Sequence, residues 1–413
     1  MSIRGLCLGL AAMLALCSAA DGLERYVSAE GDDGADGRTP ETAWRTIARL
    51  NEGLPAGGRA LLRCGDAFRG TIRVKGGPDA AHPTVVTSYG GGAKPVITSA
   101  VRLPEGTNAW TALSEGHCIW RTPLGSPAPG VLVVDGAVRP VLRYDYNDVN
   151  RMWDFACADG WLYVHATNNP ALLAREIRVT VNAHGAWLGS NTELRGLRFS
   201  EIGAHGVVAG WTGRDPRQFV SHLLVKDCDL DTIGGSELLG FSRQAHIRTP
   251  IRVRYGNGVE FGSNVSDALV EGCTFRGVYD TAYTMQGMPS CSWKNVHVRK
   301  CRFEECTQAF EIWCKDPAPG CGFENCSFTD NVCERVGCGW GAEVRPNRQS
   351  ATPLLVYWLE TDVVDILVAR NRFLGFPGEL IHCGKGTESL PSGYRLVDNE
   401  VAANRLTSPW END

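Results

Sequence analysis

Residues 296–303 read VHVRKCRF, and the chain repeats that pattern with other letters: 223–230 (LLVKDCDL), 268–275 (ALVEGCTF), 321–328 (CGFENCSF), 366–373 (ILVARNRF) and 394–401 (YRLVDNEV). Three columns line up. The first is apolar: Val225, Val270, Val298, Phe323, Val368, Leu396. The second is small: Cys228, Cys273, Cys301, Cys326, Asn371, Asn399. The third is bulky: Leu230, Phe275, Phe303, Phe328, Phe373, Val401. A weaker copy sits at Leu194, Leu197 and Phe199, so the last column recurs at steps of 31, 45, 28, 25, 45 and 28 residues.

Units of this length and β-type composition bury their faces only against their neighbours, which makes a solenoid. No 3.6-residue period runs through them, so helix pairs are excluded. Stacked coils bring like residues into register about 4.8 Å apart. The step of three between the first two columns breaks strict alternation, so the chain is expected to bend there, with Cys or Asn at the corner. An Asn can hydrogen-bond its copies above and below, and Cys fills the same place as a small hydrophobe. On this reading Phe275, Phe303 and Phe328 stack in successive coils, and Cys228, Cys273, Cys301 and Cys326 form one column of mainly free thiols.

The net charge of −5 gives no basis for binding nucleic acid or an anionic membrane. Residues 1–20 read as a secretory leader: Arg4, the apolar run 6–16, then Ser18-Ala19-Ala20 as a cleavage site. Cys17 would be the lipidated residue of a lipoprotein, but bulky Leu16 precedes it. The expected location is therefore secreted or periplasmic, and the expected state a monomer. Outside the leader the cysteines show no CxxC pair, which argues against zinc; a few disulfides between adjacent coils are the alternative to free thiols.

Residues 21–100 are read as an N-terminal cap and the first coils. An acidic, Gly-rich loop at 30–37 is a solvated turn or a weak Ca²⁺ ligand set, and 39–47 opens a short helix that covers the solenoid end. Residues 101–176 lack the ladder. They carry Trp110, Trp120, Trp153 and Trp161, with hairpin signals at Asp135-Gly136 and Asp159-Gly160, and read as a β-rich insertion whose aromatics form its own core or a sugar cleft. Residues 177–413 hold the main solenoid.

The run from Tyr26 through 65–70 (GDAFRG) to 88–97 (SYGGGAKPVI) resembles the N-terminal coils of the pectate-lyase-like superfamily, secreted right-handed parallel β-helix lyases, hydrolases and epimerases of polysaccharides. The stretches 279–287 (YDTAYTMQG), 310–313 (FEIW) and 339–346 (GWGAEVRP) resemble a bacterial branch of it without a firmly assigned activity. The resemblance implies an all-β, right-handed parallel β-helix and a carbohydrate substrate.

The strand after each ladder motif is where chemistry is expected. Aligning 258–262, 282–286, 310–314 and 336–340 puts Val259/Phe261, Ala282/Thr284, Phe310/Ile312 and Val336/Cys338 inward. That leaves Glu260, Tyr283/Met285, Glu311/Trp313 and Gly337/Gly339 outward. Glu260 and Glu311, two coils apart, have backbones about 9.6 Å apart, compatible with the roughly 6.5–9.5 Å between the carboxyls of an inverting glycosidase. Asp280 lies in the preceding turn, in line with Gln308 and Glu334, as a third catalytic candidate or a turn residue. Trp313, Tyr283, Gln286 and Trp340 are the expected sugar contacts, and Glu343 and Arg345 either touch an acidic sugar or form an ion pair. His205, His246 and His382 fall on different coils and read as structural. The segment 232–255 is a long loop whose Arg243, Arg248, Arg252 and Arg254 would suit uronate or sulfate.

Three functions compete. A glycoside hydrolase uses the paired carboxylates without a cofactor. A polysaccharide lyase needs a base and a cation beside the uronate, Ca²⁺ or Arg, with Lys315 and Arg345 the nearest candidates. A glycan-binding module needs neither.

Overall fold

The computed structural model describes residues 23–402 except 114–117, 126–127, 212–214, 216, 239–252, 290, 346–349, 385–386 and 388. The leader at 1–20 and Arg243, His246, Arg248 and Arg252 lie outside the described residues. The chain is a right-handed parallel β-helix built from three long parallel sheets. The ten-stranded first sheet runs from Glu24–Val27 to Tyr394–Val397, the nine-stranded second from Ala67–Arg69 to Glu400–Ala402, and the seven-stranded third from Ala186–Leu188 to Ile381–Cys383. Seven complete coils contribute one strand to each sheet, so interior side chains stack on those of the coil below. Phe275 stacks on Phe303 with ring centroids 4.8 Å apart, and both are fully buried.

The bend between the first two sheets is a two-residue corner. The residue before it takes left-handed backbone in every coil from the fourth on: Gly196, Asp227, Gly272, Lys300, Asp330, Arg370 and Asp398. The corner residue then repairs the broken ladder. Asn371 Nδ2 donates to Asn399 Oδ1 at 2.9 Å and to Phe328 O at 2.9 Å. Asn331 Nδ2 donates to Asn371 Oδ1 at 3.0 Å, and Asn331 Oδ1 accepts from the backbone of Cys301 at 2.9 Å. Where Cys occupies the corner, its S–H turns to a carbonyl: Cys228 to Lys226 O, Cys273 to Glu271 O, Cys301 to Arg299 O.

That ladder corrects the sequence alignment at one coil. Its corner is Asn331, not Cys326, and the steps there are 30 and 40 residues. Cys326 lies within a first-sheet strand opposite Ile366, Phe328 pairs with Val298 and Val368, and the partner of Phe303 in the second sheet is Cys333. Phe328 still meets Phe303, at 5.2 Å and 40°, but from the neighbouring sheet.

At the N-terminal end the helix Ile47–Gly53 closes the solenoid with buried Ile47 and Leu50. The acidic loop serves it: Asp33 accepts from the backbone of Arg45 and Thr46 and from the Thr46 hydroxyl at 2.8–3.0 Å. Between Val101 and Val181 the chain leaves the solenoid and forms two small, mainly antiparallel sheets, with hairpins at Asp135-Gly136 and Asp159-Gly160. Trp110 and Trp153 are buried in the core of this insertion, so they line no cleft. Arg254 fixes it to the solenoid by donating to Gly130 O at 2.8 Å, Pro140 O at 3.0 Å and Gly235 O at 2.6 Å. This guanidinium is an anchor, not a substrate ligand.

Candidate active site

The third sheet carries the site on its outer face. Its register runs Val208, Glu260, Thr284, Glu311, Leu355, His382, one residue per coil. Large apolar neighbours explain this register. Val259 and Phe261, Tyr283 and Met285, Phe310 and Ile312 all point into the core, which turns the intervening polar residues outward. Glu260 and Glu311 thus share a column with Thr284 between them.

This register corrects two expectations. Tyr283 is only 1% exposed and packs on Phe261 and Phe310, so Thr284 and Gln286, not Tyr283 and Met285, face the site. The strand after Gln308–Cys314 is Leu354–Leu359, not 336–340. Gly337 and Gly339 open no groove: a Cβ on Gly339 would lie 1.7 Å from Glu305 O. Glu334 belongs to the second sheet, beside Glu304, and so does not extend the rim begun by Asp280.

Glu260 is 2% exposed, yet its carboxyl is well supplied with N–H donors. Trp211 Nε1 lies 2.7 Å from Oε1; Asn257 Nδ2 at 2.7 Å and Gln286 Nε2 at 2.8 Å reach Oε2. His205 Nδ1 stands 3.1 Å from the same oxygen and already accepts the backbone N–H of Asn257 at 2.9 Å. The one lone pair of Nδ1 is taken by that N–H, so the side-chain hydrogen bonds of Glu260 are those of the three N–H groups, which suit the anion. Burial pushes its pKa up to about 7, against these hydrogen bonds. Burial also drives His205 down to about 4 and His184, stacked on it at 5.2 Å, down to about 3. Both imidazoles are neutral, so the exchangeable proton belongs to the carboxyl.

Glu311, 7% exposed, has hydroxyl partners instead. Thr284 Oγ1 is 3.0 Å and Thr281 Oγ1 3.1 Å from Oε2. Gln308 Nε2 donates to Ser350 O at 2.6 Å, which turns its Oε1 toward the Thr281 hydroxyl, also at 2.6 Å. The single hydrogen of Thr281 goes to that oxygen, so toward Glu311 this hydroxyl acts as an acceptor. Thr284 donates to Oε2, and a proton carried by this carboxyl finds an acceptor in the Thr281 oxygen. Burial, followed by the nearby charge of Asp280, raises its pKa to about 7.

Asp280 forms an ion pair with Arg345, and its charge is felt at Glu260, Glu311 and His205 alike. The structure thus brings together all three carboxylates singled out in the sequence. Gln286 and Trp313 pair across adjacent strands beside them, and the half-buried indole of Trp313 leaves its Nε1 without a hydrogen-bond partner. Arg345 is held by Asp280 and lies against the Tyr279 ring. Glu343 is on the same short helix, Trp340–Val344. Trp340 sits elsewhere: its Nε1 donates to Gly277 O, and it borders a separate cavity of about 520 Å³ between the second sheet and the insertion hairpin, with Arg198, Asp231 and Arg276. His382 lies in the Glu260–Glu311 column and its Nδ1 meets Glu379 Oε1 at 2.6 Å. Sequence reasoning missed Trp211, Asn257, Thr281 and Thr284 and read His205 as structural. All but Asn257, which reaches Glu260 three residues on, act on a carboxyl of another coil, and no local motif marks such partners. Among the described residues no cluster of His, Cys, Asp and Glu has the arrangement of a metal centre.

No protein-family model matches the sequence, and neither does any curated protein. Solved structures do match. A complex of XylC with xylose is 11% identical with a TM-score of 0.50, covering 92% of this chain and 70% of that one. A glycoside hydrolase is 11% identical with a TM-score of 0.43, covering 92% and 95%. An alginate lyase from Paenibacillus sp. str. FPU-7 is 9% identical with a TM-score of 0.37, covering 87% and 97%. At such identities the likeness to the first of these concerns the fold alone, a parallel β-helix.

Proposed function

We propose that the chain is an exported carbohydrate-active protein, a glycoside hydrolase that cleaves a polysaccharide or oligosaccharide at the Glu260–Glu311 column. The observation that carries this reading is the contrast between two buried carboxyls in one column of the third sheet, Glu311 raised by burial and by the charge of Asp280 and Glu260 supplied with three N–H donors. Glu311 passes its Oε2 proton to the glycosidic oxygen as the bond to the anomeric carbon breaks. Glu260 takes a proton from the water that attacks that carbon from the opposite side. Two strand steps separate the backbones by about 9.6 Å, and an inverting mechanism needs roughly 6.5–9.5 Å between the carboxyls to admit a water. Trp313, half-buried beside the column, offers an aromatic face to a sugar ring. The xylose held by XylC, the structure of matching fold, agrees with a sugar ligand.

The test is product analysis on a polysaccharide panel. Hydrolysis yields new reducing ends without ultraviolet absorbance, and inversion shows in the anomer first formed. An unsaturated, ultraviolet-absorbing product would replace this reading with β-elimination, and binding without turnover would replace it with a glycan-binding module. Export through the leader at 1–20 is checked by sequencing the mature N-terminus.

A further inference from the structure

Cys291 and Cys314 are both fully buried, and their sulfurs stand 3.1 Å apart. Cys314 closes the strand Gln308–Cys314 and pairs with Gly287, the last residue of the strand below. Cys291 lies in the turn that leaves that lower strand, and its S–H reaches back to Gly287 O at 3.3 Å. The contact is therefore sulfur to sulfur across adjacent coils. Nothing in the proposed reaction uses this pair, yet it lies one residue beyond Trp313 and close to Gln286. It ties the ends of the two strands that present those side chains.

We propose that Cys291 and Cys314 are joined in the mature protein as a disulfide that staples these two coils. Each thiol gives up its proton and the sulfurs form one bond. The two electrons pass to the disulfide of an exchange partner such as oxidised glutathione, which leaves as two thiols. Because the native pair is sealed from solvent, the step takes place while the coil is closing. The crosslink spans 23 positions, enough to restrict the unfolded chain appreciably, and it fixes the spacing of Gln286 and Trp313.

The test uses the full chain, unfolded and reduced, then refolded in oxidised and reduced glutathione. Free thiols are blocked in denaturant without reduction, and the digest is analysed by mass spectrometry. The expected result is a linked peptide joining Cys291 to Cys314, and a Tm that falls by about 3 °C or more when reductant is added. The double variant C291A/C314A should lose both the peptide and the reductant effect. Recovery of both residues as separately blocked peptides, linkage of either to another cysteine, or a Tm indifferent to reductant would overturn the proposal. These readouts need no substrate, so they stand or fall apart from the assignment of Glu260 and Glu311.

Discussion

Glu260 and Glu311 face the same side of the third sheet in one register column, with Thr284 as the residue between them. Thr284 donates toward Glu311, while Gln286, two positions on in the same strand, donates to Glu260. One strand thus sets the surroundings of both carboxyls, and the consequences can be measured.

The core ladder should be costly to interrupt. Phe303→Ala removes a fully buried ring that stacks on Phe275 and should lower stability by about 3–5 kcal/mol, measured by urea unfolding. A loss under about 1 kcal/mol would mean that the coils do not pack through this column.

The corner ladder predicts a graded response. Asn371→Ala strands the backbone N–H of Asn331 and the carbonyl of Phe328, both inside the protein, at about 1–3 kcal/mol for each unsatisfied group. Asn371→Cys supplies an S–H to the carbonyl, as Cys301 does two corners earlier, and should cost less than Asn371→Ala. Equal losses would show that the side chain only fills space.

Glu311 also makes a stability prediction. Its pKa is raised from 4.5 to about 7 on folding, so the native state holds a proton that the unfolded chain gives up earlier. Its contribution is complete below about pH 4.5 and is lost as pH rises through about 7. Buried His184 and His205 have the opposite slope over part of this range, so the useful quantity is a difference. Relative to Glu311→Gln, the native protein should lose at least about 1 kcal/mol between pH 4.5 and 7, one pKa unit's worth. Parallel stability curves would contradict a protonated Glu311.

Arg345 holds the Glu311 pKa below what burial and Asp280 alone would give. Arg345→Met should therefore move the Glu311 titration upward from about 7, followed by ¹³C NMR of the side-chain carboxyl. An unchanged or lower midpoint would remove Arg345 and Asp280 from the electrostatics of the site.

The fold was legible because interior side chains recur with the coil. Phe275, Phe303 and Phe373 needed no more than their spacing. The reading slipped at residues 321–328 for a physical reason. The first sheet has a second left-handed column, at His222, Asp267, Asn295 and Asn325, so Asn325-Cys326 imitates a corner. The true corner is Asp330-Asn331, matched by Asp398-Asn399. In the third sheet, Tyr283 and Met285 were expected outside because the alternation was phased with Ala282 and Thr284 inward, although burial of large apolar surface determines the register. Glu260 and Glu311 were visible as outward carboxylates and Asp280 as a residue of the preceding turn. The threonines, His205 and Trp211 were not, since only the stacking of coils brings them to a carboxyl.

The most direct measurement is the turnover of Glu311→Gln on a polysaccharide that the native protein cleaves, scored by new reducing ends, with circular dichroism as the control for folding. The account predicts a folded variant whose kcat falls by at least about 10²-fold, the scale for loss of a positioned acid. A folded variant with undiminished turnover would contradict the assignment of Glu311 as the acid and move the chemistry away from this column.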